Sequence, residues 1–190
     1  MSDATPEQER AWNAYGHALG AAIGLELVLR LANLTAKFHA IEASQGSAGN
    51  KRAQHDKLRR NAEEGTFGQV ANQFCDLYPQ VVDSDPVFRE AMDNAVGFRN
   101  HLTHGFLAGR VRLLLSERGL DLIALECHEA MEHFHGIERH VREHTGVDFS
   151  LFAAGGDDES LIANHPLAHM LDSQTTSNPI EDSPATPQQQ

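Results

Sequence analysis

Cysteine is scarce in this chain, and basic charge is far outnumbered by acidic. Two cysteines, Cys75 and Cys127, in 190 residues provide no disulfide framework. Both fall within apolar helical patterns, which suits buried free thiols in a reducing compartment, so the expected location is the cytoplasm. Lys and Arg number 15 against 27 Asp and Glu, a formal net charge of -12. So acidic a chain argues against broad, non-specific nucleic-acid binding, which rests on cations displacing the counterions of phosphate. It leaves room for an RNA enzyme whose basic groups are confined to a cleft. The apolar run Ala18 to Leu29 is broken by Glu26 and flanked by His17 and Arg30, so no membrane span is expected. The start MSDATPEQER is polar and acidic, unlike a signal peptide. No internal repeat is evident.

The charge is unevenly spread. All 15 Lys and Arg lie at or before Arg142, and six acidic residues follow position 150. The tail therefore carries -6, leaving -6 for residues 1–150. This division sets the expected organisation: a helical domain over 1–150 and an acidic, largely disordered tail over 151–190. Within the tail, Ser160 to Leu171 has enough Leu, Ile and Met to dock as a short element.

What is present is helical periodicity. Thr5-Pro6-Glu7-Gln8 reads as a capped start, with Gln8 completing a capping box, and the helix should run to about Ala43. Trp12, Tyr15, Leu19, Ile23, Leu27, Leu34, Phe38 and Ile41 give its expected buried face. Ser44 to Asn50 is a loop by composition. Lys51 to Asn61 is the basic run, and two readings stand: a solvated helix or mobile loop, or an arm that contacts phosphate through Lys51 and Arg52. Gly65-Thr66 precedes a third helix through Phe67, Val70, Phe74 and Leu77, stopped by Pro79. Val111 to Leu115 fits a short strand, a buried turn or an added helical turn. Leu120 to about His144 is the last long helix, with Ile123, Cys127, Ala130, Met131, Phe134, Ile137 and Val141 as its stripe. The expectation is an all-α protein, an antiparallel bundle of four to five helices.

That last helix also carries His128, His133, His135, His140 and His144. Glu132 and His135 have the Glu-x-x-His spacing of di-iron bundles, but no second copy of it exists. No histidine stands four residues after His128, so the zinc-protease motif is absent. No metal or other cofactor is expected.

The most informative stretch is Asp85 to Phe106. Asp85-Pro86 reads as a helix start and Gly105 as the residue just past its end. Phe88, Ala91, Ala95, Phe98 and Leu102 recur at spacings of 3, 4, 3 and 4, a core-facing stripe. Turning about 100° per residue places Arg99, Asn100 and His104 in the sector away from it, and His101 on its edge. Asn100 and His104 are i,i+4 neighbours. A guanidinium, an amide and an imidazole therefore gather at one helix end.

Arg99-Asn100-His101-Leu102-Thr103-His104 resembles the Arg-Asn-x-x-x-His signature of the HEPN superfamily, the higher-eukaryote and prokaryote nucleotide-binding domains. The resemblance covers six residues, and a surface Arg and His on an ordinary bundle helix is the plain alternative. Membership implies an all-helical fold, and for many members a metal-independent endoribonuclease acting as a homodimer that brings two motif helices together. It also implies a setting as a toxin of a toxin–antitoxin system or a phage-defence effector, with an antitoxin or regulatory protein as partner. In one branch a tyrosine follows the histidine by two and is modified by a nucleotidyltransferase. Phe106 stands there in this chain and has no hydroxyl to modify.

Metal-free RNA cleavage needs a base for the 2′-hydroxyl proton, a group that balances charge on the phosphorane, and an acid for the departing 5′-oxygen. His104 is the acid–base candidate, since imidazole changes charge nearest neutral pH and the C-terminal end of a helix favours a cation. Arg99 suits charge stabilisation by bidentate contact with phosphate. Asn100 suits orientation of the imidazole or a bond to phosphate. His101, Lys51, Arg52, Arg110 and Arg112 are candidate substrate contacts. Glu26 either pairs with Arg30 on its own helix or faces the motif helix and orients Arg99 or a histidine. Two other function classes remain: a catalytically silent HEPN-like module binding a nucleotide, RNA or protein, and a helical metal or structural bundle.

Overall fold

The computed structural model describes residues 4–61, 64–106 and 108–147, so the acidic tail and its 160–171 segment lie outside the described residues. Met1–Phe149 form one compact unit. Within it run α1 (Pro6–Ala43), α2 (Ala48–Arg60), α3 (Phe67–Leu77), α4 (Pro79–Ser84), α5 (Phe88–His104) and α6 (Glu117–Thr145). Two 3-10 turns, Ala108–Arg110 and Leu113–Leu115, fill the stretch before α6, and no strand occurs among the described residues.

The helix ends follow local chemistry. Thr5 caps α1 and Thr66 caps α3, each by a full capping box, with Gln8 and Gln69 answering back. Ser116 caps α6, which ends on Gly146 in the left-handed conformation that costs glycine little. The motif helix starts later than its sequence suggests. The Asp85 carboxylate accepts from the Val87 N–H at 3.0 Å, a turn that precedes the helix, and α5 begins at Phe88. Gly119 is required at the start of α6, because a Cβ there would overlap the carbonyl of Leu113.

The expected antiparallel arrangement holds for some pairs. Gly68 meets Val96 and Phe74 meets Phe88, so α3 and α5 run opposite ways. His133 bonds Ala91 O while His140 lies against Phe88, so α5 and α6 do too. The longest pair is different. Arg10 meets Asp121 at 3.2 Å and Glu138 lies against Gly24, so α1 and α6 run parallel.

The buried face of α1 also departs from expectation. Ala11, Ala18, Ala21, Ala22, Leu25, Val28, Leu29 and Ala32 are buried, while Trp12, Ile23 and Leu27 are 47%, 60% and 55% exposed. This stretch is apolar nearly all round, so two stripes compete for the core. The fold takes the alanine-rich one, whose small side chains let α6, its most extensive partner, pack alongside over many turns. Tyr78 Oη and Asn33 Nδ2 tie α3 to this face through Ala32 O (2.8 Å) and Val70 O (3.0 Å). An 18-residue window of α1 has a mean hydropathy of 1.4, enough by length and composition to cross a membrane, and 44% of it is buried in this fold.

On α5 the buried line passes through Phe88, Met92, Ala95 and Leu102. Phe98 therefore sits at its edge, 43% exposed, with its ring 5.4 Å from that of His133. The α6 stripe of Ile123, Cys127, Ala130, Phe134, Ile137 and Val141 is buried as its spacing indicates.

Candidate functional site at the end of the motif helix

Three elements meet where α5 ends. Tyr15 on α1 donates its hydroxyl to Leu102 O at 2.8 Å and stacks on Phe106, whose buried ring anchors the exit from the helix. Gly105 N–H closes the last turn on His101 O at 3.0 Å. The backbone that carries the motif is thus fixed by side chains remote in sequence.

Arg99 lies on the α1 side of this end. Its Nη2 stands 3.6 Å from Glu26 Oε2, with both side chains largely buried. The other oxygen of Glu26 accepts from Arg30 Nε at 3.1 Å and Nη2 at 2.7 Å. Arg30 also donates to Glu64 O and Gly65 O, which secures the loop before α3. Both sequence readings of Glu26 therefore coexist: it pairs with Arg30 on its own helix and reaches Arg99 on the motif helix.

His104 and Asn100 face the other way. Both are exposed, and no side-chain partner of either lies among the described residues. At about 100° per residue, Arg99 and His104 are about 140° apart around α5, so they do not share the sector expected of them. That separation follows from their five-residue spacing alone; because Phe98 lies at the edge of the buried stripe and not at its centre, it is Arg99 that turns inward to α1.

His104 instead has His101 beside it, and His101 in turn meets Arg110. His101 is one turn earlier on the same outer side, at the i,i+3 spacing that brings side chains together. Its Nε2 accepts from Arg110 Nη1 at 2.8 Å, so in this arrangement the ring proton is on Nδ1. Arg110 is held firmly: Nε and Nη2 each lie 2.6 Å from Glu126 Oε2, and its guanidinium lies 4.3 Å over the Phe106 ring. Glu126, Phe106 and Tyr15 are the site residues that sequence reasoning missed. The bond of Tyr15 to a distant carbonyl leaves no local signal; opposite charges on Arg110 and Glu126 flanking a tight turn were the available clue.

The remaining basic candidates lie elsewhere. Arg112 is exposed in the turn before α6, with no side-chain partner among the described residues. Lys51 and Arg52 line an open groove of about 600 Å³ with Phe38, Glu42 and His55, at the C-terminal end of α1. Lys51 bonds Glu42 O, and His55 Nε2 lies 2.6 Å from Glu42 Oε1. That hydrogen bond holds the Glu42 carboxyl below its ordinary range. Glu42 is sixteen residues beyond Glu26, about 24 Å along the helix at 1.5 Å per residue, so this groove is separate from the motif.

No group of three or more His, Cys, Asp or Glu positioned to hold a metal occurs among the described residues. Burial raises both thiols, Cys127 to about 11, which keeps them protonated. Compared with known proteins, the chain matches no family model, no curated protein and no solved structure.

Proposed function

We propose that this chain is a metal-independent endoribonuclease of HEPN type, cleaving RNA by attack of a 2′-hydroxyl on the adjacent phosphorus. His104 serves as the acid–base group and Arg99 as the cation that stabilises the phosphorane, with Asn100 orienting the imidazole or bonding phosphate. The observation that carries this reading is that one anchored helix end holds both an exposed His104, with no side-chain partner among the described residues, and a guanidinium braced from α1 by Glu26. A free imidazole can move protons, and a cation with restrained geometry loses less entropy on binding phosphate. His101 and Arg110 extend the surface beside His104 for substrate contact. The protein works as a homodimer in the cytoplasm, a toxin or phage-defence effector held in check by a protein partner. The products are a 2′,3′-cyclic phosphate and a 5′-hydroxyl.

A second reading, a catalytically silent module that binds a nucleotide, RNA or protein, is favoured by one observation. Arg99 is engaged by Glu26 and turned about 140° from His104, so one protomer does not bring both to a single phosphate. RNA cleavage in EDTA separates the two. The nuclease reading expects cleavage by the wild type and its loss in Arg99→Ala and His104→Ala; the silent module expects binding without cleavage.

A further inference from the structure

The side of α5 that carries His104 does not hold Arg99, which Glu26 draws against α1. It has a cation of another origin. His101 stands three residues before His104, about 60° away around the helix, a spacing that puts two side chains within reach of each other. Both imidazoles are exposed. Arg110, from the turn that follows the helix, donates Nη1–H to His101 Nε2 at 2.8 Å. Two imidazoles and one guanidinium thus form one polar surface supplied by a single protomer.

That guanidinium is aimed as well as charged. Glu126 Oε2 lies 2.6 Å from both Nε and Nη2, and the Phe106 ring lies 4.3 Å from its carbon. Of its five N–H groups, two serve Glu126, one serves His101 and one reaches Phe106 O at 3.5 Å. One is left over, and a second is freed if His101 lets go. A guanidinium held in this way loses little entropy on meeting a phosphate.

We propose that His101 is the general base and His104 the general acid of RNA cleavage on this face, with Arg110 as a second phosphate-binding cation beside them. The inference rests on the nuclease reading and deepens it, by assigning the two proton transfers to different imidazoles of one chain. Arg99 keeps its role on the α1 side.

The bond from Arg110 tells the two imidazoles apart. Because His101 Nε2 accepts it, that ring is neutral and carries the lone pair a base needs. His104 makes no such bond among the described residues and stands nearest the carbonyl end of the helix, the pole that favours a cation. In the reaction the 2′-hydroxyl proton passes to His101 Nε2 as the 2′-oxygen bonds to phosphorus. That proton displaces Arg110 Nη1–H, which turns to an oxygen of the phosphorane. The bond from phosphorus to the 5′-oxygen then breaks as His104 gives that oxygen its proton. The guanidinium is released at the moment negative charge builds up, when it stabilises most.

The test follows cleavage of a short RNA in EDTA across about pH 5 to 8, where imidazoles titrate. One base and one acid give a bell-shaped dependence of kcat/KM on pH. His101→Ala is expected to lower cleavage about 10²- to 10⁴-fold and to remove the rising limb, and His104→Ala to remove the falling limb. A 4-nitrophenyl ester of uridine 3′-phosphate needs no acid, because its leaving group departs as a stable anion. This substrate is expected to restore turnover to His104→Ala but not to His101→Ala. Arg110→Gln is expected to lower kcat about 10²-fold with a smaller change in KM. Should Arg110→Gln fail to fold, His101→Ala, which alters only an exposed side chain, decides the matter through its pH profile. If the wild type cleaves while folded His101→Ala keeps both limbs, or is restored by the ester, this assignment is overturned and the nuclease reading stands. Full activity in folded Arg110→Gln has the same consequence. Intact RNA with the wild type overturns both.

Discussion

The last turns of α5 present two sides that differ in kind. Towards α1, Leu102 is buried, its carbonyl is bonded by Tyr15, and Arg99 is held by Glu26. Towards solvent, no side-chain partner of Asn100 or His104 lies among the described residues, and His101 bonds Arg110 and meets the Phe106 ring edge-on at 5.6 Å. The inner side shapes the helix end and the outer side is free for chemistry. Arg99 belongs to both, since it is anchored like a structural residue and charged like a functional one. The contrast teaches that a short sequence motif does not by itself define one surface: five residues of helix separate its ends by nearly half a turn in projection.

Substitutions on the two sides should therefore fail differently. The largest effect is expected from His104→Ala, with RNA cleavage falling about 10²- to 10⁴-fold while unfolding free energy changes by no more than about 0.5 kcal/mol. Leu102→Ala should do the reverse, lowering stability by about 2–5 kcal/mol through loss of buried contacts, as read by urea denaturation. If both variants lost stability equally, the division would collapse. Glu26→Gln sharpens it. Removing the charge that restrains Arg99 should reduce cleavage about 10- to 100-fold, with the wild-type melting profile largely kept if Arg30 retains its bonds to the loop carbonyls. Tyr15→Phe removes one hydrogen bond to the helix end and should destabilise by about 1 kcal/mol.

A separate effect concerns pH. Cys127 is fully buried and its thiol is raised from 9.0 to about 11. The native state holds this proton more tightly than the unfolded chain does. Its contribution to stability is thus present below pH 9 and lost as pH rises through about 11. Denaturation midpoints measured across that window should fall, and less so in Cys127→Ala after correction for the lost volume.

Much of the fold is legible in the sequence because its signals are local. Thr5-Pro6-x-Gln8 and Thr66-x-x-Gln69 state where α1 and α3 begin, since a hydroxyl and an amide three residues apart are all that a capping box needs. The α6 stripe is legible because it is the one apolar face on an otherwise charged helix. The face of α1 is not, because Trp12, Ile23 and Leu27 compete with Ala18, Ala21 and Leu25. Only the demand of α6 for a close neighbour decides between them. The parallel course of α1 and α6 is equally silent, being set by the intervening helices. At the site, the placement of His104 on solvent and the Glu26–Arg30 pair follow from spacing, while the contact of Glu26 with Arg99 depends on how α1 and α5 pack. The Arg110–Glu126–His101 cluster depends on a turn whose conformation no spacing rule supplies. Charge alone groups Lys51 and Arg52 with the motif, whereas α2 carries them to the far end of α1.

One experiment bears most directly on the nuclease account: incubating end-labelled RNA with the full-length protein in EDTA and resolving the products. The account predicts fragments ending in a 2′,3′-cyclic phosphate with the wild type and none with folded His104→Ala. Intact RNA with the wild type, or the same fragments from His104→Ala, would contradict it.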